Sequence, residues 1–131
     1  MHKLYLSIGT LLGGAAVALG AFGAHGLKKI VEPDTVSTFQ TGVQYQMYHA
    51  LALIAVAILF EKFPNKLLRW SGRSFSFGIL LFSGSLYILT LFKATGKVGM
   101  EGLGLVAPVG GLLLIVGWLL LFLGVMKFSE T

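Results

Sequence analysis

Four apolar blocks, at residues 4–24, 43–60, 74–92 and 104–126, decide what this chain can fold into. A bilayer core of about 30 Å is crossed by about 20 helical residues rising 1.5 Å each, so each block can span once. The apolar residues run in long stretches and do not alternate with polar ones, which points to helix. The predicted fold is all-α: an integral membrane bundle of four transmembrane helices. The chain has 131 residues, 56% hydrophobic and 11% charged, with a mean hydropathy of +0.86. A soluble domain carries about 25% charged residues, so this chain lacks the means to coat a water-facing surface. Four spans leave only short connections, and residues 1–131 read as a single membrane domain.

A formal charge of +5 and a pI near 9.7 invite a nucleic-acid reading. The charges lie between the apolar blocks, where basic residues set membrane orientation, and no nucleic-acid partner is implied. Lys3, the second loop (Lys62, Lys66, Arg69 and Arg73) and Lys127 carry six basic residues. Lys28, Lys29, Lys93 and Lys97 in loops one and three make four. The expected placement is multi-pass in the cell membrane, with both termini and the second loop cytoplasmic. The chain has no cysteine, which excludes disulfides, thiolate metal sites and cysteine nucleophiles. Lys3 before an apolar run imitates a signal peptide, but a run of about 21 residues exceeds a signal h-region.

Helix 1 is rich in small residues. Gly9, Gly13, Ala16, Gly20 and Gly23 form one seam, and Gly14, Ala18, Ala21 and His25 a second, with Leu4, Ile8, Leu12, Leu19 and Phe22 between them. Small seams let membrane helices approach closely, so two seams imply two close neighbours, with the bulky stripe left for lipid. Gly26 and Lys28–Lys29 suit a helix end. Pro33 and Asp34 suit the start of a short interfacial helix over 34–41 with Asp34 as N-cap, and Gly42 a bend before the second span. Counting back about 20 residues from Glu61 puts His49 near the membrane midplane. Ser76, Ser83, Tyr87 and Thr90 draw a polar line on helix 3. Helix 4 opens with a break at residues 108–111, and Trp118 lies deep enough that its indole N–H needs a partner inside the bundle.

The second span opens with Gln44, Tyr45, Gln46, Tyr48 and His49, polar groups that are costly in hydrocarbon unless they find partners. Gln44, Tyr45, Gln46 and His49, with His25, Ser83, Tyr87 and Trp118, form the candidate site. Its two readings are a polar pocket open toward the outer face, floored near His49 and Trp118, and a closed hydrogen-bond cluster that locks helices together. Four stretches have a familiar order: residues 20–27 (GAFGAHGL), 41–51 (TGVQYQMYHAL), 81–87 (LFSGSLY), and 108–111 (PVGG) followed by Gly117-Trp118. Together they resemble the small four-span membrane proteins catalogued as a family of unknown function in bacteria, with relatives in eukaryotes. The resemblance covers nearly the whole chain and implies an integral membrane protein without assigning an activity.

His25 and His49 could ligate haem or a metal, but one sits near a helix end and the other near midplane, so no cofactor and no metal site is expected. A proton-coupled transporter usually embeds an Asp or Glu, whereas Glu32, Asp34, Glu61, Glu101 and Glu130 all fall in loops or at ends. No catalytic constellation is visible, and the chain reads as a non-enzyme. The preferred class is a binding, scaffold or assembly protein handling lipid or a partner membrane protein. A small homo-oligomeric transporter or channel, with its pocket around His49, is the alternative.

Overall fold

The computed structural model describes residues 2–96 and 101–127. Four long helices account for nearly all of them: α1 Lys3–Ala24, α2 Pro33–Lys62, α3 Lys66–Ala94 and α4 Val106–Lys127. Short 3-10 turns at Leu27–Lys29 and Glu101–Leu105 join the first pair and the last pair. No strand occurs among the described residues, and all four helices are long and apolar enough to cross a membrane. The protein is an all-α membrane bundle with up-down-up-down topology. The α2–α3 connection shares one side with residue 2 and the end of α4, called here the terminal side; the other two connections define the loop side.

Each helix packs mainly on its neighbour in sequence, and α2 and α3 form the centre. The α3/α4 pair shows why. Leu68, Phe75 and Phe82 on α3 stand seven residues apart, as do Gly124, Gly117 and Gly110 on α4. A methyl group built on Gly124 would meet Leu68 Cδ1, one on Gly117 would lie 2.6 Å from the Phe75 ring, and one on Gly110 would strike the Phe82 backbone. Leu68 and Phe75 of α3 therefore seat in glycine notches of α4, and at Gly110 the two backbones themselves meet, the close approach that drives association where lipid is as apolar as leucine. The cluster of Tyr5, Leu53, Val56, Phe75, Ile79 and Leu114 fills the bundle between them.

The α1/α2 interface uses the first small seam. Gly9 lies against Ala50 and Ile54, Gly20 against Val43, and Gly23 against Phe39 and Gln40, while Ala16 is buried. The second seam does not do the same. Gly14, Ala18, Ala21 and His25 are exposed, and nothing lies within 4 Å of a methyl group built on Gly14. Helix 1 thus has one principal neighbour where two were expected, and Ile8, Leu12 and Leu19 of the bulky stripe pack partly into the core. The helix that could have been the second neighbour, α4, packs its glycines on α3 instead.

Other expectations change at the helix ends. The interfacial helix over 34–41 and the span over 43–60 are one continuous α2. Pro33 opens it at the first position, where its missing N–H costs nothing. Glu32 occupies the N-cap position without a side-chain cap bond, and Asp34 lies in the first turn. Gly42 makes no bend; it is buried against α3, where Leu86 and Tyr87 cross. The second loop shrinks to residues 63–65, because Asn65 caps α3 by accepting from the Leu67 and Leu68 amides. Lys66, Arg69 and Arg73 therefore stand on helix, not loop. At residues 108–111 α4 is unbroken: Pro108 falls in the first turn, where amides lack intrahelical acceptors, and the glycines pack. Lys97 and Glu130 lie outside the described residues.

Candidate functional site

Depth in the membrane can be read from α1, whose 22 residues measure about 33 Å at the helical rise, close to the hydrocarbon thickness. It runs beside α2 from Ala57, whose carbonyl accepts from the His2 amide, to Phe39 and Gln40 beside Gly23. The middle of that stretch falls near residue 48, so His49 lies at about the midplane.

His49 projects from the buried side of α2 toward α3 and α4. Its Nδ1 stands 2.7 Å from the Tyr45 carbonyl one turn back, and its Nε2 accepts from Trp118 Nε1 at 3.0 Å. An indole N–H can only donate, so Nε2 carries the lone pair and Nδ1 the proton. The imidazole is held neutral in one tautomer. Phe75 packs between, its ring centroid 5.5 Å from His49 and 5.2 Å from Trp118. The Trp118 N–H thus has its partner on α2, and the bond joins two helices that otherwise scarcely touch. With both nitrogens engaged, His49 has no lone pair to offer a metal or haem unless the Trp118 bond breaks.

One turn toward the loop side, Gln46 bridges three helices. Its Nε2 donates to the Leu12 carbonyl of α1 at 2.8 Å, and its Oε1 accepts from the Tyr87 hydroxyl of α3 at 2.6 Å. Ser83 Oγ donates to the Gly42 carbonyl at 2.6 Å. The same device recurs elsewhere: Gln40 donates to Gly20, Ser71 to Gly117, Ser74 to Leu113, Asn65 to Gly124 and the Tyr5 hydroxyl to Arg69, always to a carbonyl on another helix. Backbone carbonyls keep a spare lone pair after helix formation, and these side chains use it as interhelical glue. Among the described residues no buried side-chain polar atom lacks a partner.

Of the expected site, the structure brings together Gln46, His49, Ser83, Tyr87 and Trp118, with Tyr45 at the edge through its carbonyl. It separates two members. His25 ends α1 as an exposed C-cap whose backbone N–H returns to Ala21 and Phe22. Gln44 faces outward from α2, because the 100° turn from Tyr45 carries it away from both packed neighbours. On helix 3 the polar line divides: Ser83 and Tyr87 bond to α2, while Ser76 and Thr90 return to carbonyls of their own helix.

Two surfaces follow from this arrangement. A groove of about 520 Å³ between α2 and α4 is bounded by Tyr45, His49, Pro108, Leu112, Ile115 and Trp118. Tyr45 and Trp118 are 40% and 48% exposed along it. The second is the outer face of α2, where Ser37, Thr41, Gln44, Tyr48, Leu51, Ala55 and Ile58 recur at alternating intervals of four and three and are all exposed or half-exposed. Gln44 sits about 6 Å from the midplane by helical rise. Its amide, like the Tyr48 hydroxyl, has no hydrogen-bond partner among the described residues.

Comparison with known proteins places these features in context. Residues 19–111 match the family model described as protein of unknown function (DUF423). The chain is 43% identical over 127 residues to a UPF0382 membrane protein of Haemophilus influenzae, covering 97% of each chain. It is 38% identical over 127 residues to the UPF0382 membrane protein YwdK of Bacillus subtilis, covering 96% of this chain and 98% of that one. With the UPF0382 inner membrane protein YgdD of Escherichia coli it shares 34% identity over 128 residues, 98% and 93% of the two chains. No solved structure matches.

Proposed function

The chain belongs to the DUF423 family of proteins of unknown function, and we propose that this member is a membrane-embedded binding and assembly protein that docks a transmembrane helix of a partner membrane protein on the outer face of α2. The observation that carries this reading is Gln44. A primary amide at membrane depth presents two donors and an acceptor to surroundings that offer none, a cost retained only where a partner relieves it. Lipid chains cannot relieve it; the carbonyls and hydroxyls of another helix can. The four-three spacing of Ser37, Thr41, Gln44, Tyr48, Leu51, Ala55 and Ile58 is that of a helix-packing seam. The adjoining groove adds an apolar wall, from Leu112 to Ile115, for the partner's larger side chains.

In this reading the interior polar cluster is scaffold. Gln46, Ser83, Tyr87 and the His49–Trp118 pair are all committed to interhelical bonds, which supports a rigid, non-enzymatic support for the α2 face and favours a dry core over a transport path. The six-to-four division of basic residues supports a cytoplasmic terminal side in the cell membrane; a reporter fused after Thr131 should be active only on that side. Function is tested by affinity purification from native membranes of the wild type and of Gln44→Leu, with folded protein matched by thermal stability. The wild type should retain a membrane-protein partner that the variant loses. Equal recovery of the same proteins with both would overturn the reading.

A further inference from the structure

The terminal side carries a second groove, of about 410 Å³, between α1 and α3. Its walls combine two chemistries. Leu4, Ile8 and Phe77 line the part that runs into the membrane, and His2, Arg69 and Arg73 the part at the surface. Arg69 and Arg73 stand one turn apart on α3 and so share a face. The chain places them there by starting α3 at Lys66, so that Arg69 is level with Phe60 at the end of α2 and Arg73 lies one turn deeper.

Neither guanidinium has an ion-pair partner among the described residues. Arg69 lies over the Phe60 ring at 5.7 Å and Arg73 over the Trp70 ring at 4.7 Å. Stacking occupies the face of a guanidinium; Arg73 also gives one N–H to the Tyr5 hydroxyl, and the remaining in-plane donors of the pair have the fork geometry that fits phosphate. His2 reports the same field. Burial, and then the positive charge of Arg69, hold its imidazole below the ordinary histidine range. Its Nδ1 accepts from the Tyr5 amide at 3.3 Å, which leaves the other ring nitrogen as a further donor.

We propose that this groove binds an anionic phospholipid of the terminal-side leaflet, its phosphate between Arg69 and Arg73 and an acyl chain along Leu4, Ile8 and Phe77. A polar head recognised by paired cations and a tail taken by an apolar trench describe one amphiphile, and neither half alone accounts for the groove. This site is separate from the α2 face and does not depend on its reading. Bound lipid would also bridge α1 and α3, which touch at this end through the Tyr5 hydroxyl and the Arg69 carbonyl.

The test is lipid retention by the full chain, purified from vesicles of equal phosphatidylglycerol and phosphatidylcholine and read by native mass spectrometry. Wild-type protein should hold phosphatidylglycerol in roughly tenfold preference, and Arg69→Gln/Arg73→Gln should fall to near parity. Lys127→Gln/Lys62→Gln removes the same charge from the same membrane side outside the groove and should keep the preference. Equal loss in both variants would mean that only surface potential is read, and no loss in the arginine variant would mean that the groove is not the site; either overturns the proposal. Should the glutamine variant fail to fold, Ile8→Trp, which blocks the trench and keeps both arginines, must lower retention. Inorganic phosphate added to the purified phosphatidylglycerol-loaded protein should not displace the lipid, and displacement at millimolar phosphate would show a free-anion site instead and overturn the proposal.

Discussion

Replacing Gly110 with alanine adds one methyl group at a helix contact where backbone meets backbone. Its carbon would lie among backbone atoms of α3, 2.8 Å from the Leu81 carbonyl carbon and the Phe82 Cα and closer still to the Phe82 nitrogen. No rotamer change relieves a clash with backbone, so α3 and α4 must separate locally by roughly 1 Å, enough to forfeit a quarter to a half of each dispersion contact at that point. Overpacking of this kind costs about 1–3 kcal/mol, while alanine returns about 0.8–1 kcal/mol of helix propensity. The net expectation is a loss of about 0–2 kcal/mol. Gly14→Ala is the internal control, since nothing lies within 4 Å of the added methyl and the propensity gain stands alone at up to about 1 kcal/mol. The propensity gain is common to both variants, so reversible unfolding in mixed micelles should separate them by the overpacking cost, about 1–3 kcal/mol. Equal stabilities, or Gly14→Ala as the weaker protein, would refute the packing argument and with it the register of α4 on α3.

Gln46→Leu should lower stability by about 1–3 kcal/mol, because it removes two interhelical bonds and strands the Tyr87 hydroxyl. In a double-mutant cycle Tyr87→Phe should couple to it, and simple additivity would contradict the bridge. Trp118→Phe keeps a ring against Phe75 and removes only the N–H to His49, so a loss of about 0.6 kcal/mol, the average for such bonds in membranes, is expected. Imidazole nitrogen chemical shifts of labelled protein should show the proton on Nδ1 in the wild type, and a uniform two-site average there would exclude the fixed tautomer.

The four helices were legible because hydrocarbon thickness and apolar run length leave little choice. The first seam of α1 was legible for the same kind of reason, as small residues at four-three spacing have one common use in a membrane. The second seam has the same spacing and no neighbour, since periodicity states which residues share a face and not whether a helix covers it. The α3/α4 register was also present in the sequence, in the matched seven-residue intervals of Leu68, Phe75 and Phe82 and of Gly110, Gly117 and Gly124. It is seen only when the two helices are read against each other. The partnership of Trp118 with His49 follows from depth and an unmet donor. The outward turn of Gln44 does not, because adjacent polar residues on a helix look like one cluster until the packed face is known.

The most direct measurement is photo-crosslinking from position 48 in native membranes. A benzophenone side chain in place of Tyr48 sits on the α2 face one turn from Gln44, and the same group at Leu11, exposed on α1, reports ordinary lipid contact. Docking of a partner helix requires a discrete adduct from position 48, mapped by mass spectrometry to a transmembrane segment of another protein, with none from position 11. Lipid adducts alone from both positions, or an adduct of only twice the mass of this chain, would contradict it.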